Sequence, residues 1–287
     1  MAIVDTEYSE YAPRRPYVTP VVVQNRYLCF ARSPTTGDVP LVSVFDTTTH
    51  TSRAFTMPGV TVFYDQHLFE WNDKLWVAGS GSGNFLLADL DLSTGTFGST
   101  FLGAYASPSY VKRVGTKLWF TQQRDSSPYY MVFGYVDLTT YTVTRISTTL
   151  NPDNYRTVFH YHNGVIYFRD LRCNAATGAV LTSGNNTPML QGDIDANGVL
   201  WYNSSGSLAS WDLPGDTTHM TPVASGAIGV PCIGPDGLIY TVNNTTLRAI
   251  NPTDSTVRDE TLTNSRAERT RLVVFGGKLW TPSGYPT

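Results

Sequence analysis

Seven times along the 287 residues, a turn-forming pair is followed at once by a short apolar strand with an aromatic residue in it. The segments are NRYLCF from Asn25, NDKLWV from Asn72, GTKLWF from Gly115, NGVIYF from Asn163, NGVLWY from Asn197, DGLIYT from Asp236 and GGKLWT from Gly276. Their starts lie 47, 43, 48, 34, 39 and 40 residues apart, and self-similarity at a mean period of about 42 marks a repeat architecture. Asn-Gly and Asp-Gly favour type I′ hairpins because both central residues need positive φ. Each turn therefore joins a preceding apolar segment to the Leu-Trp or Ile-Tyr strand.

A second landmark sets the register. After six of the seven turns an apolar strand ends in an Asx residue followed by hydroxyl or Gly residues: Asp46 (DTTT), Asp91 (DLSTG), Asp137 (DLTT), Asn174 (NAATG), Asp212 (DLPG) and Asn251 (NPTD). An Asx side chain can bond the backbone two residues on, which makes this a hairpin turn with a mechanism. Naming the strands a to d from the inside, the first turn is a–b and the Asx turn is c–d, so the b–c and d–a loops share the opposite face. Four strands in about 42 residues is the period of a propeller blade. The expectation is one all-β domain over residues 1–287, a seven-bladed β-propeller of four-stranded antiparallel blades with a–b turns at 25, 72, 115, 163, 197, 236 and 276.

Two repeats are irregular. Only eleven residues separate Asn163 from Asn174, so blade four must almost lack a b–c loop. The seventh repeat has strands a and b and then stops at PSGYPT. A propeller must close or leave edges that invite aggregation, so Ala2 to Glu10 is expected to add an outer strand to that blade, with residues 1–16 as closing strand and loop. Six full blades plus a hairpin is the alternative count.

On these turns and strands the chain resembles the seven-bladed propellers with quinoprotein-type, YVTN-type and NHL-type repeats, whose blades also carry a D-x-x-T-G-like turn. It departs from the WD40 pattern, since Trp211-Asp212 is a single WD without a preceding Gly-His, and no sialidase Asp-box is present. Composition carries a second resemblance. There are thirty-eight Thr, and only four of the twenty cationic residues are Lys: Lys74, Lys112, Lys117 and Lys278. With no leader and short polar loops, the chain resembles propeller proteins in the virions of tailed bacteriophages. Part of the Thr excess is ordinary strand and turn material.

A net charge of −3 and a pI near 5.9 leave no electrostatic footprint for nucleic acid or an anionic membrane. No run approaches eighteen apolar residues, and Asp5, Glu7, Glu10, Arg14 and Arg15 stand where a signal peptide needs an apolar core. The expected location is the virion, after synthesis in the host cytoplasm. Cys29, Cys173 and Cys232 are odd in number and far apart, which excludes a disulfide framework and a CxxC metal site.

No P-loop, nucleophile elbow, HExxH, EF-hand or zinc-ligand spacing occurs, so no cofactor, metal or catalytic residue is assigned. GSGSG at 79–83 falls at a b–c loop and reads as a flexible turn. His160 and His162 on strand a of blade four, and Asp193 and Asp195 on strand a of blade five, are same-face pairs expected to line the channel. The richest polar cluster is on the b–c and d–a loop face: Arg32, Asp38, Tyr64, Asp65, His67, Arg124, Asp125, Tyr129, Tyr130, Arg169, Asp170 and Arg172. Loops on a rigid scaffold are the usual place for recognition, and Tyr and Arg are common binding anchors. The expected function is a non-enzymatic virion component of the tail, fibre or decoration type. It docks on other virion proteins and presents its loops to a host receptor or surface glycan. The alternatives are a carbohydrate-active or hydrolytic propeller using Asp193, Asp195 and either His160 or His162 at the channel mouth, and a free lectin.

Overall fold

The computed structural model describes residues 21–32, 41–56, 68–81, 84–102, 108–123, 130–150, 158–185, 187–188, 190–219, 229–243, 246–261 and 272–280. Blade one is β1 (Val21–Val23), β2 (Tyr27–Arg32), β3 (Leu41–Asp46) and β4 (Thr51–Thr56); blade two is β5 (Leu68–Trp71), β6 (Lys74–Gly81), β7 (Asn84–Leu90) and β8 (Phe97–Phe101). Blade three is β9 (Tyr110–Val114), β10 (Lys117–Gln123), β11 (Tyr130–Asp137) and β12 (Thr142–Leu150); blade four is β13 (His160–His162), β14 (Val165–Phe168), β15 (Leu171–Asn174) and β16 (Val180–Ser183). Blade five is β17 (Gly192–Ile194), β18 (Val199–Ser204), β19 (Ser207–Asp212) and β20 (Thr217–His219); blade six is β21 (Cys232–Ile233), β22 (Ile239–Asn243), β23 (Thr246–Ile250) and β24 (Val257–Thr261). β25 (Val273–Phe275) and β26 (Lys278–Trp280) form a final hairpin. Each sheet is antiparallel and ordered as the chain runs, the layout of a β-propeller.

The count corrects the sequence reading. Six four-stranded blades are present among the described residues, and the seventh repeat contributes two strands rather than four. The expected closing strand from Ala2 to Glu10 lies outside the described residues.

Positive φ at both central residues marks the a–b turns of blades one, two and four and of the final hairpin: Gln24 and Asn25, Asn72 and Asp73, Asn163 and Gly164, Gly276 and Gly277. This is the type I′ signature. Blades five and six differ. There the turn is longer, closed by Gly198 N–H donating to Asp195 O at 3.0 Å and Gly237 N–H to Gly234 O at 3.0 Å, with positive φ at Gly198 and Gly237 alone. The Asn-Gly and Asp-Gly pairs thus end these turns instead of centring them. Of the GSGSG segment, Gly79 to Gly81 continue β6 as strand, and Ser82 and Gly83 lie outside the described residues.

All six c–d turns share one construction. The Asx Oδ1 accepts a backbone N–H two or three residues on: from Thr48 (2.9 Å), Ser93 (2.8 Å), Thr139 (2.9 Å), Ala176 (3.0 Å), Gly215 (3.1 Å) and Thr253 (2.9 Å). The residue four after each Asx has positive φ: His50, Gly95, Tyr141, Gly178, Asp216 and Ser255. Cross-strand ion pairs then reinforce the b–c register, with Lys74 on Asp89 and Lys117 on Asp137.

Along each strand, alternate residues face opposite neighbours. Val23, Cys29 and Val44 of blade one pack with Leu75, Val77 and Leu86 of blade two. The other side of blade two, Phe69, Trp76 and Leu87, packs with Leu118 and Phe120 of blade three. The same alternation joins Trp119 and Phe133 to Phe159 and Phe168, Tyr167 to Leu200 and Trp211, and Trp201 and Leu208 to Ile239 and Ile250. The b-strand aromatics Trp76, Trp119, Tyr167, Trp201 and Tyr240 are all buried in these interfaces, as are the three free thiols. Burial pushes the Cys173 thiol up to about 11, and an unionised thiol is a poor nucleophile.

The turn carboxylates make stability depend on acid. The hydroxyls of Ser93 and Thr139, then the backbone N–H groups of the same residues, hold Asp91 and Asp137 below the usual carboxylate range. The Arg26 guanidinium does so for Asp46. A carboxylate with a depressed folded-state pKa contributes stability above its unfolded value, roughly pH 4, and loses it as pH falls through the folded value. The melting temperature is expected to stay level from about pH 7 to 5 and to drop continuously below about pH 4. A level profile down to pH 2.5, followed by circular dichroism, would contradict this role for the turns.

Candidate functional site

The inner strands of blades three, four and five enclose a cleft of about 430 Å³. Strand pairing explains its chemistry. The inner-strand residue opposite Cys29 in blade one, Trp76 in blade two and Tyr240 in blade six, the matching place in each b strand, is Val21, Phe69 and Cys232. In blades three, four and five the same position holds Lys112, His160 and Asp193, paired with Trp119, Tyr167 and Trp201. One inner rung is therefore apolar in blades one, two and six and polar in three consecutive blades, and all three polar residues line the cleft.

These polar groups are also tied into the fold. His160 is buried, and its Nε2 lies 2.8 Å from the Pro188 carbonyl. A carbonyl only accepts, so this nitrogen carries the proton and the ring fastens β13 to the segment leading into blade five. Asp193 accepts the Ile194 N–H at 3.0 Å on Oδ1 and the Ile233 N–H at 2.9 Å on Oδ2, joining the inner strands of blades five and six. Asp195 accepts Asn197 and Val199 N–H groups on Oδ1 at 2.9 and 3.0 Å, and the Trp201 indole N–H on Oδ2 at 3.3 Å. His162 lies beside Gly198, where an added Cβ would stand 2.7 Å from its Nε2. All four channel candidates thus border one cleft, with Asp195 and His162 at its a–b turn end. Among the described residues, no three His, Cys, Asp or Glu side chains form a metal-sized group.

Of the loop-face residues, Arg169, Asp170 and Arg172 are described throughout. Arg169 and Asp170 are the whole b–c corner of blade four, as the short Asn163 to Asn174 spacing implies. Arg172 is a correction: it is 5% exposed and is no part of a rim. Its guanidinium donates to the carbonyls of Arg169, Leu171 and Asn185 and to the Asp216 carboxylate, and lies 5.0 Å over the Tyr167 ring. The Asn185 N–H and side-chain amide donate to Asp216 as well. Arg172 therefore clasps blade four to the c–d turn of blade five. Arg32 and Tyr130 end β2 and begin β11, but their side chains lie outside the described residues. Asp38, Tyr64, Asp65, His67, Arg124, Asp125 and Tyr129 lie outside them entirely.

Sequence reasoning missed Tyr110, Lys112, Tyr161 and Gln191, which also line the cleft. Aligning the repeats on the b-strand aromatic and reading its cross-strand partner finds Lys112, because that position is apolar in blades one and two.

No protein-family model matches the sequence, and no curated protein matches it. Solved structures do match. A chain of the mitotic checkpoint complex superposes with a TM-score of 0.62 over 99% of this chain and 92% of its own, at 13% identity. The extracellular domain of a protein described as a one-component system from B. thetaiotaomicron gives 0.60 at 16% identity, over 96% of this chain and 40% of that one. A Bacteroides fragilis protein described as a 6-phosphogluconolactonase gives 0.54 at 12% identity, over 90% and 88%. At such identities these similarities establish the propeller fold alone.

Removing the Asp193 carboxylate strands the Ile233 N–H. Asp193→Ala is expected to cost about 1–3 kcal/mol of unfolding free energy, read by urea denaturation. A variant as stable as the parent would show that this carboxylate does not tie blade five to blade six.

Proposed function

We propose that the protein acts by docking and not by chemistry, as a structural and binding propeller of a bacteriophage virion. In this reading it seats on other virion proteins in the tail, fibre or decoration layer and turns its b–c and d–a loops to a host receptor or glycan. One observation carries the non-enzymatic part. The side chains best suited to acid–base work, Asp193, Asp195 and His160, have their polar atoms engaged by backbone groups that hold turns and blades together. Docking by an outer edge is supported by β16, in which Val180 and Leu181 are 55% and 52% exposed on a strand that ends its sheet among the described residues. Such an edge is a template for another chain. The scarcity of Lys and the compositional resemblance support the virion as the setting.

The test is mass spectrometry of density-gradient-purified particles made with the intact gene. The chain is expected as a stoichiometric particle component. Its absence from intact particles would overturn the virion reading.

A seventh position in the ring belongs to the same reading. Phe275 packs against Leu28, Phe30 and Phe45 of blade one, while Val274 and Leu279 pack against Cys232, Tyr240 and Val242 of blade six. These contacts support a hairpin seated between the first and sixth blades, to which residues 2–10 add an outer strand. Deleting residues 1–16 is expected to lower the melting temperature by about 10 °C or more, several kcal/mol for a domain of this size. An unchanged melting temperature would contradict closure by that segment.

A further inference from the structure

We propose that the cleft between the inner strands of blades three to five binds a small neutral polyhydroxylated ligand, a mono- or disaccharide. The site differs from the loop face, and it stands whether or not the chain is part of a particle.

Three observations lead to this class of ligand. At the inner rung where blades one, two and six carry Val21, Phe69 and Cys232, the three blades around the cleft carry Lys112, His160 and Asp193. Burying polar groups at an inner rung costs free energy that apolar residues would not. The ties made by His160 and Asp193 offset that cost without requiring a 430 Å³ opening beside them. The opening is within the size range of small-molecule sites, roughly 300–1,000 Å³.

The lining is mixed in sign and in hydrogen-bonding sense. Lys112 supplies a cation and Asp193 and Asp195 supply anions, so a strongly charged ligand of either sign would meet a like charge. Predominantly polar walls disfavour an apolar ligand, whose burial would leave them dehydrated. A polyol hydroxyl both donates and accepts, and that matches walls offering both roles through Gln191, Asn163 and His162. Among the described residues, the His162 ring and the Asn163 amide have no hydrogen-bond partner.

The experiment is isothermal titration calorimetry and saturation-transfer NMR on the full chain. The probes are glucose, galactose, N-acetylglucosamine and maltose, with sodium phosphate and sodium benzoate as charged and apolar comparisons. At least one sugar is expected to bind with a millimolar or tighter Kd and to outbind both comparisons. Gln191→Ala and Lys112→Met are each expected to weaken it at least fivefold, while Val257→Thr on the outer strand of blade six leaves it unchanged. If Lys112→Met fails to fold, His162→Gln takes its place with the same expectation. No binding by any of the four sugars up to 50 mM would overturn the proposal. So would binding unaffected by the cleft variants, or tighter binding of phosphate or benzoate.

Discussion

Apolar side chains on both faces of every blade govern the rest of this structure. With a period of two, a strand such as YLCF sends Leu28 and Phe30 to one neighbour and Tyr27 and Cys29 to the other. A four-stranded sheet with two apolar faces cannot stand alone in water, because a single face already demands a partner. Trp119 illustrates the dependence: it belongs to blade three, is fully buried, packs with blade-four aromatics and donates its indole N–H to Ala175 in blade four. Each blade completes the core of the next.

Polar groups inside such a stack must be satisfied locally, and this determines what the conspicuous side chains do. Asp193 and Asp195 look like an acid–base pair in sequence, yet each accepts backbone donors that fix a turn or join two inner strands. Arg172 looks like a rim residue and is instead saturated by carbonyls and by Asp216. In the fold, these carboxylates and this guanidinium hold turns and blades together.

The turns were the legible part of the chain because their chemistry is local. Asn or Gly at positive φ and an Asx carboxylate two residues before a backbone N–H depend only on adjacent residues, so all six c–d turns could be placed from DTTT-like segments. The blade count was harder: it depends on whether a truncated repeat finds strands elsewhere in the chain, which is a non-local question. The cleft was half legible. Same-face alternation placed His160 with His162 and Asp193 with Asp195, and repeat alignment reaches Lys112, but the approach of Gln191 requires knowing how three blades meet. Arg172 was illegible for the same reason, since its partner Asp216 is 44 residues away.

The central claim is that the blades are mutually dependent and fold as one unit. Native-state hydrogen exchange, resolved by mass spectrometry, tests it directly. The b and c strands of blades two to five, each sandwiched on both faces, should exchange only through global opening and with one common free energy, while the outer strands β16 and β24 exchange locally. If the inner strands of one blade exchanged at a distinctly lower free energy while its neighbours stayed protected, the blades would be independent modules and the account would fail.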